Sequence, residues 1–138
     1  MKKIYRFAFI YLIIGLVFGV FYREFTVYHN YNGHTQLAFL HTHSLVLGTI
    51  FFIIVMILNQ LYKVSDNKRF TLWLVFYNLG FVGLLGTMYI RGMGQVLAWE
   101  LSGFNHVAGL FHTILGASLI WFMIILGKKL NRKNEIKS

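Results

Sequence analysis

The stretch from Leu37 to Tyr62, LAFLHTHSLVLGTIFFIIVMILNQLY, carries two histidines, no other basic side chain and no acidic one, and is apolar on nearly every side. About 20 such residues cross a bilayer core of roughly 30 Å. In lipid, backbone polar groups are satisfied only within helices or closed barrels, and an apolar run of this length without strict alternation is a helix. Three further runs share this character: Ile4 to Tyr22, Phe70 to Ile90 and Phe104 to Gly127. The sequence therefore predicts an all-α membrane protein, one domain of four transmembrane helices spanning residues 1–138. Composition agrees, with 57% hydrophobic and only 12% charged residues, unlike a soluble domain. The absence of cysteine excludes disulfides, thiolate metal sites and cysteine nucleophiles.

A net charge of +9 in a soluble protein would point to nucleic acid, but here the cations cluster between apolar runs rather than along one face. No nucleic-acid partner is expected. Lys2, Lys3, Arg6, Lys63, Lys68, Arg69, Lys128, Lys129, Arg132, Lys133 and Lys137 all fall on one side of the four spans, against Arg23 and Arg91 on the other. The positive-inside rule then places both termini and the connection between spans two and three in the cytoplasm. The first run is read as a retained span, being too long for a signal-peptide core and lacking a small-x-small cleavage site. The two outer connections, Arg23 to Gln36 and Arg91 to Gly103, set Glu24 and Glu100 beside their arginines. Val64 to Asn67 reads as a solvated turn, and the tail after Gly127 as a basic segment near anionic headgroups. Glycines at Gly15 and Gly19, at Gly80, Gly83 and Gly86, and at Gly109 and Gly116 mark faces where helices approach closely, within the chain or between copies of it.

The chemistry rests with the histidines. At ~1.5 Å per residue, His41 and His43 sit about 6 and 9 Å from the outer end of span two, His112 about 12 Å and His106 about 3 Å from the outer end of span four. Ionisable side chains at such depth are costly, and neutral imidazole is a common metal ligand. His41 and His43 differ by ~200° around the helix, so each must face a different neighbour. His29, His34 and His106 read as loop or interface residues. No span contains Asp or Glu, which leaves a hard divalent ion without an oxygen cage. A haem between helices, held by an axial histidine on each side, suits an apolar setting better, with Arg91 at the depth of its propionates.

His41-Thr42-His43, with the apolar run that follows to Ile54, resembles the His-x-His helix of the haem-copper oxidase catalytic subunit. In that subunit twelve spans form three quartets, and two histidines on the second helix of a quartet serve two different haems. The chain looks like one such quartet, and it is also similar to an uncharacterised family of small four-span bacterial membrane proteins. That family has His-x-His on span two and a histidine on span four, here in Gly109-Leu110-Phe111-His112. The resemblance implies a homotrimer that rebuilds the twelve-helix ring, with His41 of one protomer and His43 of its neighbour facing a shared haem b, and Arg91 in a connection where the oxidase places propionate-binding arginines.

The function expected is therefore a b-type cytochrome-like membrane protein for electron transfer or haem and redox sensing, its redox partner unidentified. In a variant of this arrangement His112 opposes His41 or His43 within one chain. Competing readings are a simplified oxidase or nitric oxide reductase-like enzyme, a copper- or zinc-binding membrane protein without haem, and a cofactor-free assembly subunit.

Overall fold

The computed structural model describes residues 1–99 and 104–135, without the side chains of Asn105 and residues 132–135. Glu100, expected beside Arg91, and Lys137 lie outside the described residues, as do the side chains of Arg132 and Lys133. The described chain is helical apart from short connections. It forms α1 (Lys2–Tyr28), α2 (Leu37–Tyr62), α3 (Phe70–Leu97) and α4 (Phe104–Glu135), with a single 3₁₀ turn at Val64–Asp66 between α2 and α3. All four helices contain stretches long and apolar enough to cross a membrane. Large apolar side chains such as Val20, Val75, Val82 and Ile120 stand more than half exposed along them, as lipid-facing residues do.

Three helices run past their apolar runs. α1 continues through Arg23 and Glu24 to Tyr28, α3 continues through Arg91 to Leu97, and α4 continues beyond Gly127. Arg91 therefore lies inside α3, almost two turns before its end, and not in the following connection. The cause is packing: Gly92 brings α3 so close to the start of α2 that a Cβ there would fall 2.6 Å from the Leu37 nitrogen. Charges that mark the edge of the lipid do not break a helix whose backbone bonds are already made.

α1 packs along the whole of α2, and α3 along α4; contacts between α2 and α3 join the two pairs. The core is aromatic. Trp73, Tyr77, Phe52 and Phe81 have no exposed surface. Phe51 stacks on Tyr77 at 4.7 Å, Tyr11 meets Phe81 edge-on at 4.8 Å, and Trp73 meets Phe122 at 4.8 Å. Such ring pairs are worth about 0.5–1.5 kcal/mol each beyond burial. They matter here because lipid offers no hydrophobic drive for helix association.

The glycines divide into two sets. Gly15, Gly19, Gly80 and Gly83 sit at helix contacts, whereas an added Cβ at Gly86, Gly109 or Gly116 would meet nothing within 4 Å. The expected packing role at those three positions is thus not met inside the chain, because their faces lie uncovered. Gly48 is a close-packed position without a sequence signal, its missing side chain leaving room for the Tyr11 and Phe81 rings.

Candidate functional site

The histidine pair opens a break in the regularity of α2. From Leu37 to His43 the helix is α, from Ser44 to Ile50 it is π, and from Phe51 it is α again. A π segment has a wider turn and leaves the regular i to i−4 ladder, and such segments recur at functional sites. Across the core, the Tyr77 hydroxyl donates to the Leu47 carbonyl at 2.8 Å and supports this segment from α3. Ser44 and Thr49 bury their hydroxyl oxygens with no hydrogen-bond partner.

His41 turns toward α1. Its Nδ1 lies 2.8 Å from the Gly15 carbonyl oxygen, and a Cβ at Gly19 would fall 2.9 Å from the same nitrogen. The two glycines thus cut a slot in α1 for the ring edge that bears Nδ1, and Nε2 lies on the far edge. His43 bonds back along its own helix, Nδ1 to the Phe39 carbonyl at 2.8 Å, and its ring stays half-buried. His112, exposed on α4, does the same with the Ala108 carbonyl at 2.9 Å.

One chemical consequence is common to all three. A carbonyl oxygen only accepts, so Nδ1 must carry the proton, and the lone pair of each neutral ring then sits on Nε2. Metal-ligating histidines are commonly oriented in this way, with a backbone carbonyl fixing the tautomer. The donor set fits a haem iron that takes one imidazole on each face. It does not form a chelate within one chain: among the described residues no group of three or more His, Asp or Glu side chains converges.

Of the other expected positions, Arg91 is half-buried on α3, beside Gly92 and its contact with Leu37. The end of the bundle nearest the histidines is tied together by residues to which the sequence drew no attention. Thr35 Oγ1 donates to the Gly92 carbonyl at 2.9 Å, and the Gln36 backbone N–H donates to Gln95 Oε1 at 2.7 Å, latching the connection before α2 onto α3. Their only sequence signal was polarity next to an apolar run. His29 packs its ring on Phe25 at 4.5 Å, and His106 is exposed.

Neither a curated protein nor a solved structure matches the chain. A family profile described as "Protein of unknown function (DUF2871)" matches residues 1–129, and the chain belongs to that family.

Proposed function

We propose that the protein binds haem b in the bacterial cell membrane, with both termini cytoplasmic, and passes single electrons or reports on haem or redox state. It does so as a homo-oligomer, a trimer, in which His41 of one protomer and His43 of its neighbour are the axial ligands and Arg91 holds the propionates. The observation that carries this reading is the shared hydrogen bonding of the histidines. His41 and His43 each give Nδ1–H to a backbone carbonyl at 2.8 Å, leaving Nε2 as the free donor atom. Their different surroundings add support. His41 is fixed against α1, while His43 bonds only to its own helix, so the two serve different neighbours. The His-x-His spacing that resembles the oxidase helix points the same way.

When bound, haem supplies a reversible one-electron couple at iron. The chain's own residues do the rest. Gly15 and Gly19 orient the His41 ring, the Phe39 carbonyl sets the His43 tautomer, and Arg91 supplies positive charge for carboxylates. With both His41 and His43 given to the iron, a haem held here would supply electron transfer rather than oxygen chemistry.

The test is an oxidised-minus-reduced spectrum of the protein purified in mild detergent, with a pyridine haemochrome assay. A low-spin b-type signal near one haem per chain is expected, lost in His41→Ala and in His43→Ala and retained in His112→Ala. Protein that remains colourless after haem is added back overturns the reading. A carbon monoxide shift of the reduced spectrum would favour the oxidase-like alternative.

A further inference from the structure

At the end of the bundle away from the histidines, a cavity of about 470 Å³ opens between the α2–α3 connection and α4. Two cations from the connection, Lys68 and Arg69, and two from α4, Lys128 and Lys129, line it together with a single carboxylate, Asp66. Among the described residues none of the four cations is held in a salt bridge. The floor changes character: Trp121, Ile124 and Ile125 line it, and Asn67 is the one uncharged polar residue of the lining. Trp121 packs on Phe76 of α3 at 6.0 Å between ring centres. Ile124 is 52% exposed, and Ile120 and Met123 beside it are 66% and 63% exposed, so the apolar wall continues along α4 toward the middle of the helix.

We propose that this cavity is a binding site for one anionic phospholipid, the phosphate among the four cations and an acyl chain along α4. Three features select that occupant. The lining carries a net excess of three positive charges, built from two separate elements, and basic pockets between transmembrane helices are where anionic headgroups dock. A soluble phosphate would use the cations but not the apolar floor, whereas a zwitterionic lipid would use the floor but bring a fifth cation among the four. Trp121 sits between the cations and the apolar wall, about 9 Å inside the end of span four at ~1.5 Å per residue, where a headgroup-proximal stretch of acyl chain would lie. The inference is independent of haem, because it rests on residues at the opposite end of the bundle.

Trp121 also supplies the measurement. Of the three tryptophans, Trp73 is fully buried and Trp99 lies just past the far end of α3. In full-length protein carrying Trp99→Phe, emission quenching by phospholipids brominated near the headgroup reports on Trp121. Brominated phosphatidylglycerol is expected to quench at least tenfold more effectively than brominated phosphatidylcholine in mixed micelles. The preference should vanish in Arg69→Gln/Lys128→Gln, persist in Arg69→Lys, and be absent with Trp121→Phe. Circular dichroism checks that the helices persist, as they should when only surface cations are changed. Equal quenching by the two lipids overturns the proposal, as does a preference that survives the double substitution. Displacement of the lipid by millimolar inorganic phosphate or glycerol phosphate would assign the cations to a soluble anion and overturn the lipid as occupant.

Discussion

At the residue scale, the most consequential side chain is one that is missing. Gly19 leaves the space into which the Nδ1 edge of His41 fits, and a methyl group there would stand 2.9 Å from that nitrogen. Gly19→Ala should push the ring off the Gly15 carbonyl and lower haem retention in parallel with His41→Ala, while leaving helix content by circular dichroism unchanged. Unaltered haem binding in Gly19→Ala would separate His41 from the site. Thr49 offers the opposite kind of test. Its hydroxyl is buried and has no partner, so Thr49→Val removes a desolvated polar group at nearly constant volume. The expected change is from neutral to about 1 kcal/mol of added stability, read from SDS titration of the detergent-folded protein. The histidines stood out in the sequence because ionisable side chains are rare in lipid. Which carbonyl each one bonds was not legible, since Gly15 is remote in the chain and its approach depends on how α1 lies on α2.

At the scale of the element, α2 shows what an apolar run does and does not reveal. Its ends at Leu37 and Tyr62 followed from hydropathy alone, since both are flanked by polar residues. The π segment within it left no such trace. Ser44 to Ile50 reads as ordinary helix, and the wider turn is explained by the partners it meets: the Tyr77 hydroxyl on the Leu47 carbonyl and the Tyr11 ring over Gly48. Tyr77→Phe keeps the stacked ring and removes only the donor. It should cost about 0.5–1 kcal/mol, the worth of an interhelical hydrogen bond in a membrane protein, with a larger effect on haem binding than on unfolding if the segment sets the direction of the histidines. The helix ends of α1, α3 and α4 lie beyond the apolar runs for a related reason. Arg23, Arg91 and the lysines after Gly127 locate the edge of the lipid, and helices extend past that edge whenever neighbouring helices keep them packed.

For the whole molecule, the uncovered glycines carry the argument. Gly109 and Gly116 lie seven residues apart on α4 and meet nothing within 4 Å inside the chain, leaving a small-residue face free for another copy. Gly116→Leu should therefore leave the thermal unfolding of the single chain within about 0.5 kcal/mol of the parent. It should also lower the detergent-corrected mass measured by light scattering from that of the proposed trimer of 16.1 kDa chains toward that of one chain. An unchanged mass would remove this face from the oligomer contact. That the four helices form two packed pairs was not evident from hydropathy, because runs apolar on every side give no preferred face. The pairing rests instead on where glycines and aromatic rings fall opposite one another.

The overshooting helices have one more consequence. At about 1.5 Å per residue, α1 and α3 are each roughly 40 Å long, some 10 Å more than a typical hydrocarbon core. The excess of α3 lies at the end latched by Thr35 and Gln36. Because Arg91 marks the edge of the lipid, that excess stands among headgroups and water rather than in hydrocarbon. The latched rim is thus a stiff collar above the membrane surface, at the end of the bundle nearest His41 and His43.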